Sequence, residues 1–461
     1  MRTYHNDAPP ILFAPVSAKI AVLAGAFFIL SALAWFVKTA LSALTNAAIM
    51  AALARRAGWL SIFLMIVGVL VATAAIIVHR KTPTEAQICR MVCRTLFCPT
   101  YGNPLNFCDG ERLPHITCNP VLSGQYAVKI TTLTVPAEKL EKISSIISAS
   151  LNRKYERYAV TQIDTDVAFN HVIFLVDDVT INKSMKIHSV GELRPHDPTK
   201  LTVQQGMNID LTASGSILVA GKTRSGKTTA VISLLLQVLL AGRDSYDSKV
   251  VIIDPKRAEL SRLPHVYTLG EDGEATEILA AIQHFANTIT VRQAELNGLS
   301  EKCGDAVKWW DAGFHPSFLF VDEYVAARTI FPKKADKERP DYCLATFDGL
   351  IKRIVTMGAS AGCYVIISIA EASVEEGGLP SMLRSAMGTK ILFKPTLPEA
   401  RLLWGSEKLE ALNTARVFKA GDAWLSSTDG INDNITFCHF PTMDFPVYRE
   451  LGRLLTAYYG D

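Results

Sequence analysis

Residues 221–228 read Gly-Lys-Thr-Arg-Ser-Gly-Lys-Thr, a full match to the pattern G-x-x-x-x-G-K-[ST]. An apolar run, Ser216 to Ala220, comes directly before this stretch, and an apolar run of helical length, Thr229 to Leu240, comes directly after it. Glycines let the backbone N–H groups of such a turn surround phosphate oxygens, and the start of the following helix adds about half a positive charge. The stretch therefore predicts a phosphate-binding turn between a strand and a helix, and this context disfavours a chance glycine-rich turn.

Two side chains of this turn carry the predicted chemistry. Lys227 is expected to reach the β- and γ-phosphates of ATP, and the Thr228 hydroxyl is expected to hold Mg²⁺. The predicted nucleotide-binding residues of the turn are Gly221, Lys222, Thr223, Arg224, Ser225, Gly226, Lys227, Thr228 and Thr229.

A pair of carboxylates, Asp322 and Glu323, follows another apolar run, Phe318 to Val321. Asp322 is expected beside Mg²⁺, and Glu323 is expected to polarise the attacking water. Many strands end in acidic residues, so the pair alone is a weak signal. Its position 95 residues after Lys227, with further apolar runs on either side, makes it a strong one.

Five short apolar runs without alternation, with helical stretches between them, lie after residue 200. Such runs indicate strands buried on both faces of a parallel sheet, as in doubly wound α/β domains. Ligands bind at the carboxyl ends of the strands in these sheets. We therefore expect an α/β fold, with a RecA-like P-loop NTPase domain over residues 196–461. The runs are Ser216–Ala220, Lys249–Ile253, Ser317–Val321, Cys363–Ile369 and Thr389–Phe393.

Residues 81–195 are expected to form a Cys-containing linker and a small α/β module. Residues 82–125 are rich in Pro, Cys, Asn and Gly with little periodicity, which predicts an irregular segment. Gln125–Thr134 and His171–Val179 have the pattern of strands, and Pro136–Tyr155 has the pattern of an amphipathic helix.

The first 80 residues predict a membrane anchor. Two uncharged stretches, 20–37 and 57–78, contain 18 and 22 residues, and as helices they would reach about 27 and 33 Å, enough to cross a bilayer core of about 30 Å. A removable signal peptide is the alternative for the first stretch, but its apolar region would be shorter. Basic residues are more numerous outside the pair than between its members, which places both termini and the ATPase domain in the cytoplasm.

The overall charge is nearly balanced, with 47 Lys+Arg against 44 Asp+Glu, so any contact with nucleic acid has to come from local patches. One candidate is the segment from Phe331 to Pro340, which holds four basic and two acidic residues. An ordinary solvated loop explains that segment equally well. Five cysteines cluster after the second apolar stretch, and in a cytoplasmic setting they are either free thiols or a metal site with His115 as a ligand. They are Cys89, Cys93, Cys98, Cys108 and Cys118.

The segment Val250-Val-Ile-Ile-Asp254-Pro-Lys256-Arg-Ala-Glu-Leu260, together with the phosphate-binding turn and the Asp322-Glu323 strand, resembles the FtsK/SpoIIIE DNA translocases over roughly residues 200–430. The resemblance implies a hexameric ATPase ring that moves double-stranded DNA. It also implies that Asp254 and Lys256 belong to the nucleotide site.

The chain departs from the pattern of that family at two places. Where the family has Ala-Thr-Gln-Arg-Pro after its fourth strand, this chain has Ser-Ile-Ala-Glu-Ala at 368–372. Where the next strand usually opens with Thr-Arg, this chain has Thr389-Lys390, with Arg384 shortly before. Arginine fingers stabilise transition-state charge across subunit boundaries, so Arg384 and Lys390 are candidates for that role, with plain surface charge as the alternative. Weak or partner-dependent hydrolysis is therefore expected.

The layout of two apolar stretches and one P-loop domain resembles the coupling ATPases of Gram-positive conjugative plasmids and integrative elements. That resemblance implies a relaxase or a secretion channel as partners. Three alternatives stay open: an FtsK-like ATPase that drives protein secretion of the type VII kind, a chromosome-segregation translocase, and a nucleotide-dependent membrane scaffold with little turnover.

Overall fold

The computed structural model of the chain divides into two compact units, Met1–Thr180 and Ile181–Asp461. The sequence predicted the boundary of the ATPase domain somewhat later, at residue 196. The residues described are 3–8, 14–43, 48–122, 124–132, 134–166, 168–181, 183–269, 274–335, 337–370, 379–406, 409 and 418–460.

The amino-terminal unit begins with two long apolar helices, α1 (Val16–Ala43) and α2 (Ala48–Lys81). Within the described residues these two helices are long and apolar enough to cross a membrane, and little of their surface is covered by protein. They pack on each other as a hairpin, in which the buried Ser31 and Ser61 hydroxyls each donate a hydrogen bond to the other residue's backbone carbonyl, at 2.8 and 2.9 Å. Both helices extend beyond the stretches 20–37 and 57–78 that were predicted from the sequence.

A four-stranded antiparallel sheet, in the order β1-β2-β4-β3, forms the rest of this unit. Three helices pack on it and close one core built from residues such as Ile88, Phe174 and Ile147. The helices are α3 (Thr84–Phe97), α4 (Ala137–Glu141) and α5 (Ser144–Ser150), and the strands are β1 (Ile116–Leu122), β2 (Gln125–Thr131), β3 (Tyr158–Thr165) and β4 (His171–Asp178).

Two predictions for this unit were wrong in part. Residues 82–125, expected to be irregular, contain α3 and β1; α3 places Ile88, Val92 and Leu96 on one buried face, a period that the interspersed cysteines and arginines hid. The helix predicted over Pro136–Tyr155 is broken into α4, α5 and a short 3-10 turn. Strand β3 was missed.

An eight-stranded sheet, in the order β10-β9-β11-β12-β8-β13-β14-β15, forms the centre of the second unit. The six strands from β10 to β13 are parallel to their neighbours, and β14 and β15 are antiparallel additions at one edge. The strands are β8 (Ile217–Gly221), β9 (Val250–Asp254), β10 (Val266–Thr268), β11 (Ser317–Val321), β12 (Cys363–Ile369), β13 (Thr389–Phe393), β14 (Asp422–Ser427) and β15 (Thr436–His439).

Helices cover both faces of this sheet, as the buried strands require. Along β8, Ile217 and Val219 face a core shared with α6 and α12, whereas Leu218 and Ala220 face a core shared with α7 and α9. The helices are α6 (Lys227–Ala241), α7 (Ala275–Cys303), α8 (Tyr324–Thr329), α9 (Leu344–Met357), α10 (Ser381–Ala386), α11 (Leu397–Trp404) and α12 (Val447–Tyr459).

The predicted parallel α/β fold is confirmed, and all five predicted strands lie in the one sheet. The sequence did not reveal β10, β14 or β15. Two small pairs also lie outside the main sheet: the parallel pair β5 (Lys186–Ile187) and β16 (Thr442–Met443), and the antiparallel pair β6 (Lys200–Gln204) and β7 (Met207–Asp210).

Candidate functional site

The phosphate-binding turn lies at the carboxyl edge of the parallel sheet. It follows β8, which runs between β12 and β13, and β11 is the next strand beyond β12. Because these strands are parallel, the segments that follow them emerge at the same edge. This is the edge to which the sequence assigned the nucleotide site.

Two positions in the turn admit only glycine. Gly226 has φ +95°, and a Cβ added there would lie 2.5 Å from the backbone nitrogen of Gly421. A Cβ on Gly221 would lie 2.7 Å from the Cβ of Phe393. The turn is therefore fixed by close backbone approach as well as by its left-handed conformation.

The turn is held in place by residues that the sequence analysis did not identify. The Gly421 N–H donates to the carbonyl of Ser225 at 2.9 Å, and the Lys394 ammonium donates to the carbonyl of Arg224 at 3.3 Å. Both come from the segments between β13 and β14, whose sequence carries no recognisable motif. The Ser225 side chain is fully buried, and its hydroxyl has no hydrogen-bond partner among the described residues. An orphaned hydroxyl inside a glycine-framed turn fits a site that takes further oxygen atoms.

Lys227 is the first residue of α6, and its ammonium lies among groups from the neighbouring strands. Its Nζ donates to the carbonyl of Ile369, at the end of β12, at 2.9 Å, and lies 3.8 Å from the carboxylate of Glu323. The side chains of Lys227 and Glu323 are only 11% and 12% exposed. Burial lowers the pKa of Lys227, and the nearby carboxylates of Glu323 and Asp322 oppose that shift. The two elements predicted to converge are thus in contact.

Glu323 is held by three groups at once. One carboxylate oxygen accepts the backbone N–H of Ala370 at 3.1 Å, and the other lies 3.2 Å from the ammonium of Lys256 as well as near Lys227. Its backbone has φ +54°, a left-handed conformation that costs of order 1–3 kcal/mol in a non-glycine residue and concentrates at functional sites. The strain and the contacts together fix where this carboxylate lies.

Asp322 and Thr228, the predicted Mg²⁺ ligands, are both half-buried. Burial raises the pKa of Asp322, and the positive charge of Lys227 opposes this. A bound phosphate beside Lys227 and a cation beside Asp322 would each favour the charged form of that side chain and so oppose the effect of burial on its pKa. A hydroxyl and a carboxylate are oxygen ligands of the kind that Mg²⁺ takes in nucleotide sites, where water molecules fill most of its other positions.

Asp254 shapes the loop rather than facing open space. Its two carboxylate oxygens accept the backbone N–H groups of Lys256, Ala258 and Ser261 at 3.1, 2.9 and 3.1 Å. The side chain is fully buried, which raises its pKa. Asp254 thus positions Lys256, which reaches Glu323. These hydrogen bonds use three of the roughly four acceptor positions of the carboxylate, and contact of Asp254 with nucleotide stays a prediction.

The remaining predicted residues divide between the turn and the opposite end of the sheet. Lys222, Thr223, Arg224 and Thr229 are exposed on the turn. Lys390, early in β13, pairs with Leu218 rather than with the turn, and its ammonium donates to the carbonyl of Leu403 at 3.0 Å. Arg384, in α10, precedes that strand.

The Lys390 ammonium is thus engaged away from the phosphate-binding turn, and the role of Arg384 and Lys390 at a subunit boundary stays a prediction. Glu371 and Ala372, in the departure from the family pattern, lie outside the described residues.

The cysteine cluster forms no evident metal centre. Among the residues that the structure describes, no group of three or more His, Cys, Asp or Glu side chains is placed to hold a metal ion. Cys89 and Cys93 lie close together on α3, and this contact lowers the pKa of Cys89 to about 7.

Comparison with known proteins gives a family match for the second unit. Residues 182–315 match the FtsK/SpoIIIE family model. The FtsK domain-containing protein YdcQ of Bacillus subtilis is 28% identical over 152 residues, which cover 33% of this chain and 28% of that protein. DNA translocase FtsK of Brucella melitensis is 22% identical over 228 residues, which cover 44% of this chain and 28% of that protein. The matched stretches thus span well under half the length of these relatives.

Among solved structures, the conjugation coupling protein TcpA of pCW3, in a monomer form with ATPgS, aligns with 81% of this chain and 99% of its own, with a TM-score of 0.45 and 12% identity. The family match contains the phosphate-binding turn and the Asp254-Pro-Lys256 loop. The sequence resemblance is thereby confirmed over residues 182–315, which match the FtsK/SpoIIIE family.

Proposed function

We propose that this protein is a membrane-anchored ATPase that hydrolyses ATP to move double-stranded DNA. The observation that carries the proposal is the contact between Lys227 of the phosphate-binding turn and Glu323 after β11, at 3.8 Å, on one edge of the sheet. A cation for phosphate and a carboxylate for water, held at one edge, are what phosphoryl transfer to water needs.

Each residue of the edge has one task in this proposal. The turn from Gly221 to Gly226 surrounds the phosphates with backbone N–H groups, and Lys227 leaves Ile369 to bind them. Thr228 and Asp322 would hold Mg²⁺, which neutralises phosphate charge when bound. Glu323 orients the attacking water and is kept in place by the N–H of Ala370. Lys256 holds the same carboxylate from its other side.

Contact with DNA is assigned to the segment that follows α8. Phe331 anchors it by stacking on Phe347, with ring centroids 5.0 Å apart. The cations beyond this anchor, Lys333, Lys334, Lys337 and Arg339, are all exposed. In a homo-hexameric ring, six copies of this segment would give the local basic surface that the overall charge does not supply. The Brucella relative is a DNA translocase by name, which supports this assignment.

We further assign the activity to DNA transfer by a conjugative plasmid or integrative element, with α1 and α2 as two spans and the ATPase unit in the cytoplasm. A relaxase or a secretion channel is the expected partner. The support is the order of elements: an apolar helical hairpin, a small module and a P-loop unit. Transfer frequency in a strain from which the gene has been deleted tests this assignment. Unchanged transfer with defective chromosome segregation would overturn it.

The central experiment measures ATP hydrolysis by the full chain with and without double-stranded DNA. Stimulation by DNA is expected, and Lys227→Ala should abolish hydrolysis in both conditions while the chain stays folded, as its circular dichroism spectrum reports. Lys302→Ala, which removes an exposed lysine of α7, is the matched control and should hydrolyse ATP as the unmodified chain does. A fully active Lys227→Ala protein would refute the site.

Salt dependence separates DNA from other cargo. If each subunit neutralises one phosphate, the logarithm of affinity falls with the logarithm of salt concentration with a slope of about −0.9 per contact. A flat salt dependence, or hydrolysis stimulated by a secreted protein and not by DNA, would favour the protein-secretion alternative. Hydrolysis that no macromolecule stimulates would favour the scaffold.

A further inference from the structure

The structure assigns a second anion site, outside the ATPase unit, in a cavity of about 650 Å³ in the amino-terminal unit. We propose that this cavity binds the phosphate headgroup of an anionic phospholipid. The proposal rests on the membrane anchoring proposed above.

Basic side chains dominate the cavity wall. The cations Arg90, Arg94, Arg153 and Lys154 line it together with the imidazole of His79, and its lining contains no Asp or Glu. None of these five side chains forms an ion pair with a carboxylate in the described part of the chain. Like charges gathered without counter-charges repel one another, and a bound anion relieves that repulsion.

A buried, unpaired donor supplies independent evidence for a ligand. Tyr155 lines the cavity and is 5% exposed, and its hydroxyl has no hydrogen-bond partner among the described residues. Buried hydroxyls nearly always have a hydrogen-bond partner, so the Tyr155 hydroxyl is available to donate a hydrogen bond to a ligand. The neighbouring Arg153 has φ +57°, a backbone conformation that concentrates at ligand sites.

The walls also combine charge with aromatic surface. The Arg94 guanidinium lies 5.1 Å from the ring centroid of Tyr101, and the Lys154 ammonium lies 4.8 Å from that of Tyr155. These contacts restrict the cations without neutralising them. A phosphodiester with a short glycerol body matches a cavity of this size, which is within the usual range for small-molecule sites of about 300–1,000 Å³.

The position of the cavity favours a lipid over nucleic acid. Pro15 comes directly before α1, and His79 and Thr82 lie at the end of α2, so three wall residues mark where the two apolar helices end. Headgroups lie at that depth in a bilayer, and basic pockets on the cytoplasmic side are suited to anionic lipids. Duplex DNA carries its phosphates on a convex surface, which suits an open basic face rather than a cavity.

The test is native mass spectrometry of the full chain in detergent with phosphatidylglycerol or phosphatidylcholine. Preferential retention of phosphatidylglycerol is expected. The double variant Arg94→Gln/Arg153→Gln should weaken that binding roughly tenfold, which corresponds to one charge-assisted pair. The matched control is Arg80→Gln/Lys81→Gln, which removes two charges at the same end of α2 but outside the lining, and it should retain binding.

A single-atom variant guards against misfolding of the double variant. Tyr155→Phe keeps the ring packing and every charge, and it should weaken retention by a few fold. Equal retention of both lipids overturns the proposal. So does an equal loss in the two double variants, which would indicate general surface charge. Displacement of phosphatidylglycerol by glycerol phosphate at matched concentration assigns the cavity to a soluble phosphate, and displacement by duplex DNA assigns it to nucleic acid; either result also overturns it.

Retention in the membrane after an alkaline wash reports on the anchor separately. If the chain is washed off but keeps its preference for phosphatidylglycerol in detergent, the anchoring proposal fails and the headgroup site stands. If the chain stays in the membrane and shows no preference between the lipids, the headgroup site fails and the anchor stands.

Discussion

The nucleotide edge of the ATPase unit and the basic cavity of the amino-terminal unit both contain several cationic side chains. They differ in whether a carboxylate lies beside those cations. At the nucleotide edge, Lys227 and Lys256 both lie within 4 Å of the Glu323 carboxylate. In the basic cavity, Arg94 and Arg153 have no carboxylate among their neighbours in the wall. The first site is balanced internally before any ligand arrives, whereas the second needs an anion from outside.

This difference follows from what each site has to do. A site that repeatedly binds and releases nucleotide needs cations that return to a partner in the protein, because an uncompensated cluster would hold its product. A site that holds one anion continuously has no such requirement. The Lys227 contact with the carbonyl of Ile369 and with Glu323 is therefore the resting arrangement expected of a turnover site.

The largest expected effect tests whether Glu323 does more than balance charge. Glu323→Gln keeps the shape of the side chain and an oxygen for the N–H of Ala370, but removes the charge that acts on water. Hydrolysis should fall about 10²–10⁴-fold while ATP binding stays intact or tightens, since Lys227 is released from its carboxylate. Single-turnover hydrolysis and nucleotide affinity are the measurements.

Glu301→Gln is the control for that experiment, because Glu301 is an exposed carboxylate of α7 remote from the sheet edge. It should leave both quantities unchanged. Loss of nucleotide binding in Glu323→Gln, with hydrolysis per bound nucleotide preserved, would make Glu323 a structural counter-charge and nothing more.

The next effect tests how closely the backbone around the nucleotide edge fixes the phosphate-binding turn. Gly226→Ala places a Cβ 2.5 Å from the nitrogen of Gly421 in a residue with φ +95°. Strain and collision together should lower the free energy of unfolding of the ATPase unit by ~2–4 kcal/mol and abolish nucleotide binding.

Gly304→Ala is its matched control. Gly304 has the same left-handed conformation, with φ +76°, but nothing lies within 4 Å of an added Cβ, so only the backbone strain remains, about 1 kcal/mol. Thermal unfolding with and without ATP measures both variants. Equal destabilisation by the two would show that the close approach to Gly421 contributes nothing to the turn.

The nucleotide edge could be predicted from the sequence, whereas the basic cavity could not, and the difference has a physical reason. The nucleotide edge is made of local patterns, namely a glycine turn, apolar strands and an acidic strand end, each readable within a few residues. Lys227, Asp322 and Glu323 were placed from such patterns, and the structure brings Lys227 and Glu323 into contact. The roles assigned to them stay predictions.

The basic cavity has no local signature. Arg94 lies on α3, in a segment that the sequence predicted to be irregular, and Arg153 lies some sixty residues later beyond two strands and two helices. Only the folding of the small antiparallel sheet brings them to one wall. The same applies to Gly421 and Lys394, which hold the phosphate-binding turn through long-range backbone contacts. A pattern of single residues cannot predict partners that only the fold brings together.

The smallest expected effect distinguishes the two charge arrangements directly. Removing one positive charge should lower the stability of the chain at the nucleotide edge and raise it at the basic cavity. Lys256→Gln removes a half-exposed partner of Glu323 and should lower stability slightly, by about 0.2–1 kcal/mol, as surface ion pairs do. Arg153→Gln removes one of several like charges and should raise the unfolding temperature of the chain in lipid-free detergent. With phosphatidylglycerol added, Arg153→Gln should instead unfold at a lower temperature than the unmodified chain, because the lipid supplies the missing counter-charge at the basic cavity. The effect of Lys256→Gln should not change, because the lipid does not bind at the nucleotide edge. If Arg153→Gln destabilises the lipid-free chain, Arg153 has a partner within the protein and the contrast between the two sites fails.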